Sequence, residues 1–573
     1  MNLTFPENKK ILVVLPAIAA LFIAFIPTLK YQWPLGWDII YHVQYAHVYA
    51  TYGFTLTDPL LNAPSGQQMG YPPLFHLLIA GLGTVFGVDF FQVARFLQPV
   101  MATSLVLSVS YVAYRFYGEI AGASAGFLML SSYLVGRMVL PLPENLALIF
   151  IPLAVYFYYS SIKNKDIKPA LLGGVFFCLV ILTHQPATLC LSLIIIGITL
   201  LELIVYRNLA VFKNFLSFFA ALIVLMVLGV VALQIMAPQI LQGLSGQILL
   251  LLSKSSSLVS NRPLSLWGYF GNLGFLVIIF SVIGGIVALK KHRRKDLLML
   301  VWVIAMILLS NSYWFGISVI SYRVIIYLLI PLSMLGGLGI TFIINSLEDY
   351  QEKLHESPDN EGISENESSH NSDIPMKGSS NEESSSKIKE YPVKKYPIIS
   401  SPKLGAVFLI IIYLICAVSG VLTVTNPKVT NFGVKNVYGT VQISPPSQSE
   451  VDLANWFREN GNTSRSMLIS NQFAGMFVST VSGMPMHYDF DYFSIKGLPI
   501  SERQKEDIGY VVFDKRLVLS PQGNEFILKK VDSEFYPLYY STVDIPSYID
   551  QIMPDNSHKA YENQDFIVFQ MDY

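Results

Sequence analysis

The feature that most constrains this chain is a series of long apolar runs separated by short polar segments. An α-helix needs about 20 residues to cross the hydrocarbon core of a bilayer, and only helices and closed barrels satisfy their backbone hydrogen bonds there. Repeated runs of this length predict an α-helical polytopic membrane protein. The runs lie near residues 11–29, 72–88, 94–114, 120–138, 146–160, 169–184, 187–206, 215–237, 271–289, 297–310, 324–345 and 404–424.

The composition agrees with a chain that lies largely in a membrane. Hydrophobic residues make up 53% and charged residues 13% of the sequence, whereas soluble domains carry about a quarter charged residues. A net charge of -1 gives no case for a nucleic-acid partner. The cysteines all fall inside apolar runs, which excludes a disulfide framework. They are Cys178, Cys190 and Cys416.

The basic residues between the runs indicate how the chain is threaded, because cytoplasmic loops are enriched in lysine and arginine. If every run crosses, several basic clusters fall on the outer side, so one run must not cross. The run 72–88 is the best candidate, since it starts with Pro72 and Pro73 and contains His76. We interpret it as an amphipathic or re-entrant helix in the first outer loop, residues 30–93. The basic clusters are Lys9-Lys10, Lys163 to Lys168, Arg207 to Lys213 and Lys290 to Lys295.

This threading predicts about 11 crossings of a cell membrane, with the N-terminus in the cytoplasm and the C-terminal region outside. Residues 1–345 form the main transmembrane domain, and 404–424 form the last transmembrane helix. The stretch 346–403 is polar and rich in serine and glutamate, which predicts a disordered cytoplasmic linker. Residues 425–573 mix helical signals with β-like runs such as Tyr510 to Phe513, which predicts an extracytoplasmic α/β domain.

The first outer loop carries ionisable residues beside the membrane. Asp38 and His42 are four residues apart, so they share one face of a helix. A carboxylate and an imidazole so placed can act as acid and base, or bind a divalent cation such as Mg²⁺ or Mn²⁺. The alternative is an aromatic belt at the membrane interface, with the charges simply facing water. Its members are Trp33, Trp37, Tyr41, Tyr45 and Tyr49.

Two further ionisable residues stand at predicted outer helix ends. Glu144, followed by Asn145, lies where a helix re-enters the bilayer, which makes it either a functional residue or a favourable charge at a helix N-terminus. Arg323 opens a late helix from the outer side, against the usual basic bias. Its guanidinium fork fits a lipid phosphate, and the alternative is snorkelling to headgroups. His184 and Gln185 break an apolar stretch at an outer turn, which by itself predicts only a turn.

Together these residues resemble the GT-C superfamily of membrane glycosyltransferases. The stretch from Asp38 to His42 is similar to the D-x-x-x-H stretch of oligosaccharyltransferase catalytic subunits. The sequence Tyr71-Pro-Pro-Leu-Phe-His76 resembles the start of the loop helix in protein-mannosyltransferase-like members. Glu144 matches the acidic residue of the second outer loop. Arg323 is similarly placed to the arginine that contacts the carrier phosphate in that superfamily.

The resemblance implies transfer of a sugar from a polyprenyl-phosphate donor to a protein or lipid-linked glycan acceptor at the outer face. It implies that Asp38 is the general base and that Glu144 supports the acceptor or a cation. Arg323 is then the residue that stabilises the leaving phosphate. The other implied residues are His42, His184 and Gln185 for the donor; Tyr71, His76 and Asn145 for the acceptor or the loop; and Asp38, His42 and Glu144 for a divalent cation.

Some features depart from the family pattern and keep other functions open. The sequence has no WWDYG motif, which disfavours oligosaccharyl transfer. Asp489-Phe490-Asp491 looks like a DxD metal motif, but surface loop charges explain it better. A transporter or flippase of a lipid-linked substrate is the first alternative, although the sequence shows no internal repeat. A polysaccharide polymerase or ligase is the second alternative.

Overall fold

We describe the fold from a computed structural model. The residues described are 9–34, 38–236, 264–317, 321–356, 404–425, 446–469, 472–487, 508–515, 517–519, 526–528 and 557–572. The candidate motif Asp489-Phe490-Asp491 and most of the predicted linker lie outside them. Trp37, a proposed member of the aromatic belt, does too.

Every apolar run forms helix over its described residues, as the hydrocarbon environment requires. A 3-10 turn at Lys9–Val13 leads into the first helix, and a second 3-10 turn lies at Ser312–Phe315. The run 120–138 is broken after Ser131 into a longer and a very short helix. The first helices are α1 (Leu15–Lys30), α2 (Asp38–Tyr52), α3 (Leu74–Phe86), α4 (Phe90–Tyr117), α5 (Glu119–Ser131), α6 (Val135–Met138), α7 (Pro143–Asn164) and α8 (Ile167–Ile181).

The remaining bundle helices are α9 (Gln185–Ile204), α10 (Val211–Met236), α11 (Leu266–Leu273), α12 (Phe275–Lys291), α13 (Arg294–Ser310), α14 (Ser321–Glu356) and α15 (Leu404–Thr425). Within the described residues, 7 helices are long and apolar enough to cross a membrane, or 8 if α11 and α12 are one bent span. Helices α3, α5 and α8 are apolar but shorter. With 13 residues, α3 is well below the about 20 that a crossing needs.

Helix α14 continues beyond the boundary at 345 that the sequence predicted. The helix ends at Glu356, so the first part of the predicted linker is helical rather than disordered. The prediction ended the helix with the apolar run, but a helix does not have to stop where the bilayer does. The Gln351 side chain accepts a hydrogen bond from the backbone N–H of Leu404 (2.9 Å), which joins α14 to the start of α15.

Glycines let α12 and α14 approach each other closely in the middle of the bundle. A Cβ atom on Gly284 would lie 1.8 Å from the carbonyl oxygen of Leu335. A Cβ on Gly339 would lie 2.4 Å from the carbonyl oxygen of Phe280. Lipid supplies no hydrophobic driving force between membrane helices, so close contact at small residues is a main source of their attraction.

The C-terminal part of the chain forms a mixed sheet with two helices. Its elements are α16 (Gln448–Asn460), β3 (Ser466–Ile469), α17 (Gln472–Ser482), β4 (Met486–His487), β5 (Ile508–Asp514), β6 (Leu517–Leu519), β7 (Phe526–Leu528), β8 (Ser557–Glu562) and β9 (Phe566–Met571). Among the residues described, five of these strands are hydrogen-bonded in the order β4-β3-β5-β9-β8, and β6 pairs with β7 in a separate two-stranded sheet. Strand β5 is parallel to β3 and antiparallel to β9.

This C-terminal part packs directly on the first outer loop. The loop contains a small hairpin, β1 (Thr57–Asp58) and β2 (Gln67–Gln68). In the segment between these two strands, the carbonyl of Leu60 accepts from the backbone N–H of Met486 (2.7 Å), and the backbone N–H of Ala63 donates to the carbonyl of Met486 (3.0 Å). The loop thereby covers the edge strand β4. Phe75 and Phe477 belong to one continuous hydrophobic core, so loop and sheet lie on the same side of the bundle.

The opposite end of the bundle carries the basic clusters. There Arg294 forms an ion pair with the buried Glu202 (3.1 Å), and Arg293 binds the buried Asp296 through two nitrogens (2.7 and 3.1 Å). Glu202 stands near the end of α9, whereas His184 immediately precedes that helix. The predicted cytoplasmic charges and the predicted outer site are therefore separated by the length of a helix.

Candidate active site

Helix starts bring the predicted site residues to one end of the bundle. Glu144 lies in the first turn of α7, His184 caps α9, and Arg323 lies in the first turn of α14. The loop helix α3 is tied to the same end, because the backbone N–H of Leu74 donates to the carbonyl of Leu182 (2.9 Å). The first outer loop and three helix starts therefore enclose a single region.

The carboxylate of Glu144 is held by an arginine that the sequence analysis missed. Arg137, on the short helix α6, donates to Glu144 in a buried ion pair. Both residues are almost fully buried, with 8% and 3% of their surface exposed. A buried charge needs such a partner because desolvation costs several kcal/mol per ion. The predicted charge at a helix N-terminus is also present, since Pro143 is the first residue of α7.

Asn145 fixes the turn that carries this ion pair. Its side-chain amide donates to the backbone carbonyls of Arg137 (2.8 Å) and Leu140 (2.7 Å). These bonds tie the start of α7 to α6 and to the turn that follows it, and they set the position of Arg137 relative to Glu144. Asn145 is fully buried, so its amide nitrogen acts on the protein's own backbone.

His184 is held in one tautomer by its neighbours. Its Nδ1 accepts from the backbone N–H of Ala187 (3.3 Å), so in the neutral ring the proton is on Nε2. The hydroxyl of Tyr327 lies 3.1 Å from the same Nδ1. Tyr327 is buried in α14, and nothing in the sequence marks it as a site residue. The pair joins the start of α9 to α14 close to Arg323.

A pair of histidines links the two helices of the first outer loop. Nδ1 of His42 on α2 lies 2.9 Å from Nε2 of His76 on α3. Nδ1 of His76 is buried with no hydrogen-bond partner among the described residues. One of the two facing ring nitrogens, Nδ1 of His42 or Nε2 of His76, donates to the other, and the tautomers of the two rings decide which. Tyr45 packs edge-on against His76 (5.2 Å between ring centroids).

Burial keeps both loop histidines neutral. It lowers the pKa of His76 to about 3. It also lowers the pKa of His42 well below its usual value, and the nearby His76 and His184 add to this effect. Both imidazoles therefore act as hydrogen-bonding groups over the whole physiological pH range.

Tyr71 stands where the charged residues converge. Its ring centroid lies 4.9 Å from that of His42 and 6.1 Å from that of His184. Burial raises its pKa; the carboxylates of Glu144 and Asp38 raise it further, and the guanidinium groups of Arg323 and Arg137 lower it. The charges of two carboxylates and two guanidinium groups thus all affect the pKa of this one phenol.

The remaining predicted site residues differ from these in how exposed they are. Asp38 is the first residue of α2 and is exposed. The negative charges of Asp38 and Glu144 both interact with the guanidinium group of the half-buried Arg323. Gln185, the first residue of α9, is exposed. The aromatic-belt interpretation fails for Tyr45 and Tyr49, which are buried within the protein.

The three candidate cation ligands do not form a metal site as a set. Glu144 is bound to Arg137 through Oε2 and His42 is bound to His76 through Nδ1, so the Asp38 carboxylate and Glu144 Oε1 are the carboxylate oxygens of this set without a hydrogen-bond partner among the described residues. Over the described part of the chain, three or more His, Cys, Asp or Glu side chains do not come together in a way that fits a metal ion.

Comparison with solved structures shows the class of fold. The chain matches the apo oligosaccharyltransferase of Archaeoglobus fulgidus at a TM-score of 0.58 and 12% identity, over 89% of this chain and 70% of that one. It matches ArnT from Cupriavidus metallidurans bound to undecaprenyl phosphate at 0.55 and 12%, over 97% of each chain. It also matches the mycobacterial arabinofuranosyltransferase AftD at 0.54 and 12%, over 98% of this chain and 40% of that one.

These structures are GT-C superfamily glycosyltransferases, and the chain has the GT-C fold. The resemblance stated from the sequence motifs is thereby confirmed at the level of fold. No protein-family model matches the sequence. No curated protein matches it either. The Archaeoglobus fulgidus enzyme has been solved with Zn and sulfate.

Proposed function

We propose that the chain is a GT-C glycosyltransferase that moves a sugar from a polyprenyl-phosphate-linked donor to an acceptor on the outer face of the membrane. The observation that carries this proposal is the convergence on Tyr71. Asp38 and Glu144 supply negative charge there, and Arg137 and Arg323 supply positive charge. This combination provides a base for an acceptor hydroxyl beside cations for a phosphate leaving group.

In this mechanism Asp38 removes the proton from the acceptor hydroxyl as the oxygen attacks the anomeric carbon. The bond from that carbon to the phosphate oxygen breaks, and its electron pair leaves on the polyprenyl phosphate. Asp38 is exposed at the start of α2, where an acceptor can reach it. A direct displacement of this kind inverts the anomeric configuration.

The two arginines stabilise the charge that grows on the leaving phosphate. Arg323 is half-buried at the start of α14, and Arg137 is fixed by Glu144 and by the turn that Asn145 holds. A guanidinium fork matches phosphate oxygens, and removing one such positioned donor costs about 10²–10³ in rate. His184 presents Nε2–H, and Gln185 an exposed amide, for the donor head group.

The clustering of ionisable residues at one end favours chemistry over transport. A transporter is expected to carry its polar site near the bilayer midplane, at broken helices. Here the carboxylates and guanidinium groups stand at helix starts and in the first outer loop. A flux assay in vesicles separates the two functions, because a transporter moves the lipid-linked sugar without forming a new glycosidic bond.

The proposal is tested with purified protein in proteoliposomes supplied with tritium-labelled hexoses on undecaprenyl or dolichyl phosphate. Asp38→Asn should reduce transfer at least about 10²-fold, because it removes the base. Asp452→Asn, an exposed carboxylate on α16, is the matched control and should leave transfer unchanged. Full activity of Asp38→Asn would remove that residue from the base role.

A divalent cation, Mg²⁺ or Mn²⁺, is a separate part of the prediction. Such an ion would be held by the Asp38 carboxylate together with oxygen atoms of the substrate, because Glu144 keeps only Oε1 outside its ion pair with Arg137. Transfer measured before and after EDTA, and again after Mg²⁺ or Mn²⁺ is restored, tests this part independently of the base.

A further inference from the structure

A cleft lies between the first outer loop and the C-terminal sheet region, away from the residues around Tyr71. Its volume is about 650 Å³, within the range of about 300–1,000 Å³ typical of small-molecule sites. One wall is the face of α2 that carries Val43 and His47. On that helix His47 is five residues from His42 and points about 140° away from it. The cleft and the candidate active site therefore use different faces of α2.

The opposite wall is formed by two helices of the C-terminal part. Val451, Asn455 and Arg458 line it from α16, and their spacing of four and three residues puts them on one helical face. Phe477 and Thr480 line it from α17, again three residues apart. The sequence thus presents two regular helical faces to the cleft. A gap left by imperfect packing of a loop would not be lined by side chains at helical spacing.

The aromatic surface that the cleft presents is the ring of Trp33, which lies just after α1 and is half-buried. Two buried rings behind it fix its position. Trp33 meets Phe91 of α4 at 5.2 Å and Phe477 of α17 at 5.0 Å between ring centroids, in both cases edge to face. Phe91 and Phe477 also contact each other at 5.7 Å. These contacts hold the indole in place whether or not the cleft is filled.

The polar side chains of the lining give it no net charge. Asp89 contributes one negative charge and Arg458 one positive charge. His47 is neutral, because burial lowers its pKa more than the carboxylate of Asp89 raises it. Asn455 adds a carboxamide with donor and acceptor atoms, whereas the carboxamide of Gln92 already has protein partners at both its nitrogen and its oxygen. A phosphate head group would be expected to need an excess of positive charge, and this lining does not provide it.

We propose that this cleft is a second binding site, for a neutral saccharide of about two sugar units. Sugar rings have apolar C–H faces that pack on aromatic rings, and their hydroxyls both donate and accept hydrogen bonds. The fixed indole of Trp33, beside carboxamide, carboxylate and guanidinium groups, matches both properties. Only the use of the bound saccharide, as the part of an acceptor remote from the reacting hydroxyl, rests on the proposed transferase function.

The test is saturation-transfer-difference NMR on the full chain in nanodiscs, with maltose, cellobiose, chitobiose and mannobiose as probes. We expect at least one disaccharide to bind. Asn455→Trp should abolish binding because the indole fills the cleft. Arg458→Ala should weaken it roughly tenfold, the effect of losing a hydrogen bond from a charged group. Glu459→Ala, an exposed neighbour on α16, is the matched control and should bind as the wild type does.

Asp38→Asn separates this site from the proposed reaction, because it should bind the disaccharide normally even where transfer is lost. Loss of binding in Asp38→Asn would put the saccharide in the candidate active site and overturn the proposal. So would the absence of binding to every probe, or equal binding by all variants. Binding of glycerol 1-phosphate with the same variant dependence, without saccharide binding, would assign the cleft to a lipid head group instead. Arg458 is exposed, so its variant keeps the test valid if Asn455→Trp misfolds.

Discussion

The ion pair between Arg137 and Glu144 carries two charges in one of the most buried parts of the site. Asn145 holds the backbone on both sides of it, so the geometry of the pair is set before any ligand arrives. A preorganised charge of this kind costs no reorganisation during a reaction. The same burial makes each partner dependent on the other.

Removal of Arg137 alone should therefore be costly. We expect Arg137→Ala to destabilise the protein by about 3–5 kcal/mol, because it leaves the Glu144 carboxylate buried without its partner. The double variant Arg137→Met with Glu144→Leu should recover much of that loss but not the transfer activity. Thermal unfolding in detergent measures the stability. Arg115→Ala, an exposed arginine on α4, is the control, and an equal loss there would contradict the prediction.

The two loop histidines should make stability depend on pH. Both have a lowered pKa in the folded protein, whereas the pKa of a histidine in the unfolded chain is about 6.5. The unfolded chain therefore binds more protons below that pH, and stability should fall as the pH drops from about 6.5 towards the folded pKa. The slope is about 1.4 kcal/mol per pH unit for each histidine.

Unfolding midpoints between pH 7.5 and pH 5 measure this dependence. His76→Gln should flatten the acid limb, because one titrating group is gone and the second loses its partner. His558→Gln removes an exposed histidine of β8 that lies beside Asp572, and this comparison variant should not flatten the limb. An identical acid limb in wild type and His76→Gln would show that the pair does not control stability.

The site residues differ in whether the sequence alone could identify them. Asp38, His42 and Glu144 stand out because ionisable groups near a bilayer are costly. Arg137 is also ionisable, but it lies inside the apolar run 120–138, so the sequence predicts that it is part of a membrane-crossing helix. The break after Ser131 was not predicted, because a broken span and a continuous one have the same apolar composition. Tyr327 has no signal at all, since tyrosines are common in these helices.

At the scale of helices, the crossing of α12 and α14 depends on glycine. We expect Gly284→Ala to destabilise the bundle by about 1–3 kcal/mol, because its Cβ would overlap the backbone of α14. Gly285→Ala is the matched control, as a Cβ there has nothing within 4 Å. Unfolding midpoints in detergent compare the two. Equal midpoints would mean that the helices separate slightly at little cost.

The helices were predictable and their partners were not. Every apolar run predicted a helix, because the bilayer leaves few alternatives. The pairing of the Leu60–Ala63 backbone with Met486 depends instead on register between segments far apart in sequence, and no local pattern encodes it. The predicted α/β character of the C-terminal region followed from alternation and length, whereas the order of its strands did not.

At the scale of the whole molecule, the shared core makes the C-terminal part a support for the first outer loop. Phe477 is fully buried and contacts both Trp33 and Phe91. Phe477→Ala should cost about 3–5 kcal/mol and increase hydrogen–deuterium exchange in α2. Phe569→Ala, in the core on the other face of the sheet, should affect the sheet more than α2. Equal increases in α2 for both variants would contradict a specific support.

The same shared core means that the first outer loop cannot finish packing until late in synthesis. Residues of the first outer loop leave the ribosome early, but their apolar surface is completed only by residues of α16 and α17, which are made after the whole bundle. Synthesis proceeds at about 5–20 residues per second, so the unfinished loop waits for tens of seconds. During that interval its exposed aromatic surface needs a chaperone, a lipid surface or the translocation machinery to keep it from aggregating.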